Sequence, residues 1–172
     1  KMALTTGIAA ICQAWNGGGK KLYLVDLPDV TSFTLAGGIY TAVTMASGKV
    51  FKEYAFHDDT FDWKEDPNRN TESGSTMIKN TLEMFIQGKS QTLRNAIEEI
   101  IGSSTCGVIA ILEDNNDTKW VIGYGERNKR ALKMSTGAGS IGKKLDDMVG
   151  TTITLTNDTV ELARTFTGTV PV

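Results

Sequence analysis

Apolar and polar positions alternate with period two along much of this chain. In KLYLVDLPDVTSFTL (21–35), Leu22, Leu24 and Asp26 fall on one face and Tyr23 and Val25 on the other. That spacing predicts a strand, broken at Pro28 and ended by Gly37-Gly38. IYTAVTMA (39–46) sets Ile39, Thr41, Val43 and Met45 against Tyr40, Ala42 and Thr44, a second strand. KVFKEYAFHDD (49–59) predicts a weaker third strand, where the slip between Phe51, Tyr54 and Phe56 suggests a bulge. The tract at 75–88 has strand character and also fits part of a helix, and Val108 to Leu112 is a short, fully apolar strand. Asp114-Asn115-Asn116-Asp117 turns that strand into Trp120, Val121 and Ile122, because Asn and Asp tolerate left-handed backbone. ALKMS (131–135) predicts a short strand. TTITLTND (151–158) and TVELARTF (159–166) predict a terminal hairpin around Asn157-Asp158, followed by an extended tail.

One segment has the other periodicity. In SQTLRNAIEEII (90–101), Leu93, Ala96, Ile97, Ile100 and Ile101 form one apolar stripe, with Ser90 as N-cap and Gly102 as stop. A single helix with one apolar face covers a sheet; it does not build an α/β repeat. The stretch 59–75 has neither period. It is polar, contains Pro67, and has only Phe61 and Trp63 as large apolar residues. A long loop at about 57–76 is therefore expected, ordered by contact with a partner. The fold class that follows is mainly β, an antiparallel β-sandwich or small barrel with one flanking α-helix, in a single domain over 1–172 with extended termini.

Composition narrows the function. The chain has 172 residues, 40% hydrophobic and 22% charged, with a net charge of −2. Lys20-Lys21, Lys129-Arg130 and Lys143-Lys144 are pairs and not blocks, which excludes the basic footprint of a duplex-DNA binder. No apolar run approaches the roughly 18 to 20 residues of a membrane span. The opening KMALTTGIAAICQAW lacks the layout of a signal peptide, and its Lys1-Met2 start suggests a trimmed or extended N-terminus. Cys12 and Cys106 are expected to be buried free thiols, although one disulfide is compatible with their number.

The densest candidate chemistry is STGAGSIGKK (135–144). Gly137, Gly139 and Gly142 read as G-x-G-x-x-G, and Gly137 through Lys144 nearly match a phosphate-binding loop. Lys144 stands where that loop needs Ser or Thr, and at most two helical turns fit before Gly150. A mobile glycine loop joining two strands is the expectation, with Lys143 and Lys144 solvated or facing a partner. The Asp114–Asp117 cluster lacks the pattern of a calcium loop. His57-Asp58-Asp59 lacks a nucleophile turn beside it, Glu98-Glu99 lies on the polar face of the helix, and Cys106 has no evident base. No catalytic residue, cofactor or metal is expected.

The order of elements resembles that of phage tail tube proteins, also called major tail proteins. The second half is similar to structural proteins of phages of Bacteroidetes-type bacteria. Glu113-Asp114, Trp120, Ile122-Gly123, Gly137 to Gly142, Asp146-Asp147 and Gly150 to Leu155 carry the resemblance, over roughly residues 90–158. It implies a virion protein made in the host cytoplasm. Copies would self-assemble into hexameric rings that stack into a tube, with DNA passing through without sequence-specific binding. It further implies other tail or connector proteins as partners. Candidates for contact between subunits are Phe61, Trp63, Lys64, Glu65, Asp66, Asn68 and Arg69 in the long loop, with Lys143 and Lys144. A tail terminator, head–tail connector or head decoration protein is the alternative; a nucleotide binder using 137–144 is the remote one.

Overall fold

The computed structural model describes residues 16–56 and 60–172. Cys12, with the rest of residues 1–15, and His57-Asp58-Asp59 lie outside them, as does the N-terminal part of the expected extended termini. Strands are β1 (Gly19–Asp26), β2 (Val30–Ala36), β3 (Ile39–Met45), β4 (Lys52–Ala55), β5 (Phe61–Arg69) and β6 (Thr76–Gln87). After helix α1 (Gln91–Cys106) come β7 (Val108–Asp114), β8 (Lys119–Ile122), β9 (Lys133–Ser140), β10 (Gly150–Thr159) and β11 (Arg164–Phe166). They form a seven-stranded sheet in the order β2-β3-β11-β8-β7-β1-β4 and a four-stranded sheet in the order β5-β6-β10-β9. Pairing is antiparallel except between β11 and β3. The fold is a mainly β sandwich with one helix, as the alternation predicts.

The main core lies between the sheets. Leu22, Leu24, Ala110, Leu112 and Ile122 of the larger sheet meet Leu82, Met84, Ile153 and Leu155 of the smaller, and Ile97 and Ile100 of α1 join them. A second core forms on the opposite face of the larger sheet. Tyr23, Val25, Ile109, Ile111 and Val121 pack there with Phe33, Tyr40, Phe51, Phe166 and Val170. Burial on both faces explains why β1 and β7 carry continuous apolar runs. Burying a large apolar side chain contributes about 1.5–3 kcal/mol, so β1 and β7 anchor the fold.

The start of α1 follows the sequence signal and its end does not. Ser90 caps α1, its hydroxyl accepting from the Leu93 N–H at 3.2 Å. Gly102 does not stop the helix, which runs to Cys106. Gly107 stops it with φ 108°, donating its N–H to the Ser103 carbonyl, and a Cβ there would stand 2.5 Å from the Ala131 Cβ. Cys106 is free and exposed, which corrects the expectation of a buried thiol.

Three larger expectations are corrected. The segment expected as a long loop is mostly strand: β5 pairs with β6 from Phe61↔Met84 to Arg69↔Thr76, leaving only a tight turn beyond it. Cross-strand pairing supplied what the polar sequence lacked. Most of the glycine stretch is likewise strand β9, paired with β10. The terminal hairpin does not form. β10 runs straight through Asn157-Asp158, because Asn157 is buried and its side-chain amide donates to the Arg130 carbonyl at 2.6 Å. β11 then crosses to the other sheet and pairs with β8 and β3. The C-terminal tail is not a free arm either: Val170 is buried and the Pro171 carbonyl accepts from the Phe51 N–H at 2.8 Å.

Candidate assembly surfaces

The glycine segment has the wrong geometry for a phosphate cradle. No helix follows it. Gly142, at φ 72°, begins a turn in which one carboxylate oxygen of Asp147 accepts the Lys143 N–H at 2.6 Å and the Lys144 N–H at 2.9 Å. These two donors would have to face a phosphate, and an internal anion already occupies them. The same bonds, Lys143 first, hold the Asp147 carboxyl below the usual carboxylate range.

The other polar clusters are similarly committed. Asp114 accepts from the Asn116 and Thr118 N–H groups at 2.9 Å each with one oxygen, and from the Trp120 indole at 3.2 Å with the other. Asp117, at φ 60°, pairs with Lys20 at 2.7 Å. No group of three or more His, Cys, Asp or Glu among the described residues is arranged to hold a metal. A surface groove of about 620 Å³ is lined by Asp26, Asp29, Lys49, Lys52, Tyr54 and Glu99 among others. Burial, then Glu99 and Asp26, pushes the Tyr54 phenol up, which keeps it protonated. Tyr40 is fully buried, with Glu126 and Glu161 near its hydroxyl. Burial, then Glu126 and Glu161, pushes this phenol well above its ordinary range.

The strand β5 divides the contact candidates in two. Phe61 is buried in the main core, and Trp63 packs against Trp120 in a tilted arrangement, 5.6 Å between ring centroids, while donating to the Asn80 side chain at 3.2 Å. The Glu65 carboxylate accepts the Ala163 N–H at 2.6 Å, and burial raises its pKa. These three side chains are used within the chain, correcting their place in an exposed loop. Lys64, Asp66, Asn68 and Arg69 are exposed.

The outer face of the four-stranded sheet is polar over its middle rows, and by the same alternation Phe85 and Met77 of β6 lie on it at either end. Its rows, read from register, are Asp62–Glu83–Thr154–Thr136, Lys64–Thr81–Thr156–Lys133 and Asp66–Lys79–Asp158. Acids and lysines nearly balance there, around a ladder of threonines. The edges of this sheet are β5 and β9, on whose outer sides no described strand pairs. Phe85 donates its N–H to the Thr60 carbonyl. By alternation, Asp62, Lys64 and Asp66 turn their main-chain groups towards β6, and Phe61, Trp63 and Glu65 turn theirs to the open side. Pro67 belongs to the open set, where its missing N–H leaves no bond to β6 unmade.

Six of the eleven exposed large apolar side chains among the described residues lie towards the two ends of the same sheet. The 141–149 arm between β9 and β10 presents Ile141, Leu145 and Met148, which are 73%, 108% and 66% exposed. At the other end stand Met77, Val160 and Leu162, at 45%, 45% and 57%. Lys143 and Lys144 lie in the arm as expected, exposed and without an ion pair among the described residues. Sequence reasoning missed the apolar residues; their only signal was Leu145 and Met148 within the charged run KKLDDM. No helix among the described residues is long and apolar enough to cross a membrane. The chain matches no protein-family model, no curated protein and no solved structure.

Proposed function

We propose that this chain is a structural virion protein whose copies join edge to edge into rings, and that the rings stack into a phage tail tube for genome delivery. The observation that carries this reading is the polarity of the four-stranded sheet. Its strands alternate in direction, so the outer strands β5 and β9 run antiparallel to each other. A second copy placed beside the first by simple rotation sets its β5 antiparallel to the first copy's β9. Each junction then continues the ladder, and ring closure removes edges that are a liability in a lone sandwich. The resulting wall would be the polar face described above. A conduit holds DNA weakly, and a surface of threonines with balanced charge suits that better than a basic one.

The sequence resemblance to tail tube proteins supports the same reading. Other tail or connector proteins would meet the ends of the tube. Negative-stain electron microscopy with the mass in solution tests the proposal. Rings stacked into tubes with a central channel are expected. A single closed ring would favour a terminator or connector, and a protein that stays monomeric at every concentration would overturn self-assembly.

A further inference from the structure

We propose that β5 of one copy pairs with β9 of the next in a single register, with Trp63 opposite Gly139 and Glu65 opposite Gly137. The inference rests on the edge-to-edge reading above and adds the register and the role of the two glycines. Alternation fixes which main-chain groups of β9 are open. Phe85 donates to Thr60, so the odd-numbered residues of β6 turn towards β5 and the even-numbered ones towards β10. Thr152 and Thr154 of β10 then turn towards Ala138 and Thr136 of β9. That leaves the main-chain groups of Gly137 and Gly139 on the open side, with their Cα atoms beside Ile153 and Thr151 on the inner face.

The chain's own fold does not require glycine at either position. Neither has a positive φ. A Cβ at Gly137 would press on the flexible end of Met134, and one at Gly139 would stand 3.3 Å from the Thr151 hydroxyl. Glycine weakens a strand interior and is kept where another backbone comes close. The open side of β5 supplies the matching bulk. Trp63 and Glu65 turn their main-chain groups outward and lay their side chains on the inner face, where they are held by Trp120 and Asn80 and by the Ala163 N–H. A side chain opposite them on a neighbouring strand would push into these contacts, and a glycine does not. Faces match across the junction only in registers that step by two residues. In the register proposed, Pro67 falls opposite Ser135, the bulge residue left unpaired between Thr136 and Met134, so its missing N–H meets a ladder already interrupted. One step one way sets Glu65 against that bulge and shortens the ladder. One step the other way sets Pro67 opposite Gly137, whose carbonyl then lacks a donor. On the outer face Asp62, Lys64 and Asp66 meet Ser140, Ala138 and Thr136, with no like charges opposed.

The test uses the full chain. Lys64 and Ala138 would stand in a pair without main-chain bonds, about 4.5 Å between Cα atoms, close enough for a disulfide. In a C12A/C106A background, Lys64→Cys combined with Ala138→Cys should give a disulfide-linked ladder on mild oxidation. Lys64→Cys combined with Thr136→Cys or with Ser140→Cys should give little, and neither K64C nor A138C alone should give any. Gly139→Val should abolish rings in electron microscopy without lowering the unfolding midpoint of the unassembled protein, while Ala138→Val on the outer face retains them. A ladder from T136C or S140C in place of A138C, or rings from G139V equal to wild type, would overturn the register and leave edge-to-edge assembly standing. A dimer from A138C alone would overturn it in favour of β9 pairing with β9. A wild-type protein that never assembles would overturn both the register and the reading it rests on.

Discussion

The Asp147 carboxylate accepts the backbone N–H of Lys143 at 2.6 Å and so closes the turn that begins at Gly142. An anion from the chain itself fills the place a nucleotide phosphate would need. Asp147→Ala should leave the global unfolding midpoint nearly unchanged, since the residue is fully exposed, while amide exchange at Lys143 and Lys144 accelerates. In the wild type, acid should lower the protection of these two amides relative to their intrinsic exchange rate at the same pH. The folded carboxyl titrates below its unfolded value, so the ordering is present above the usual Asp range and is lost as pH falls through the lowered value. Protected amides in D147A would refute this role for the carboxylate.

Glu65 links the two sheets by accepting the Ala163 N–H at 2.6 Å. Glu65→Ala removes the acceptor from a partly buried donor and should cost about 1–2 kcal/mol in urea unfolding. Glu65→Gln keeps an oxygen there and removes the buried charge. Burial raises the folded pKa, so wild-type stability is greatest below the unfolded value and falls as pH rises through the folded one. E65Q should therefore match or exceed wild type at neutral pH and lose that part of the pH dependence. An E65Q as weak as E65A would contradict this account.

Trp63 is the only side chain bonded to the amide of Asn80 among the described residues, and Asn80 is 2% exposed. Trp63→Phe keeps an aromatic ring near Trp120 and leaves the Asn80 oxygen without its donor. A loss of about 1–2 kcal/mol is expected, read from the denaturant midpoint. Trp63→Phe combined with Asn80→Leu should recover part of it, because both polar partners are then gone.

Gly107→Ala tests the end of α1. The added methyl meets Ala131 and holds a non-glycine residue at φ 108°. About 2 kcal/mol or more of destabilisation is expected, measured by thermal or urea unfolding. Gly102→Ala, in the exposed helix interior with open space around it, should instead stabilise by about 0.5–1 kcal/mol.

The sequence by itself determined what depends on neighbours along the chain. Alternation located β1 and β3, Ser90 located the start of α1, and Asp114 to Asp117 located the β7–β8 turn, because capping, turn bonds and side-chain alternation act over a few residues. Tertiary structure decided the rest. β5 is polar on one face, and its strand state comes from β6, not from its own composition. β9 is a strand despite its glycines, because β10 lies beside it. Asn157 reads as a turn residue, yet a buried bond to the Arg130 carbonyl holds it in extended backbone. The placement of Ile141, Leu145 and Met148 opposite Met77, Val160 and Leu162 follows from which strands pair. Pairing joins residues far apart in sequence, and the free energy that selects it comes from burial shared across the sheets.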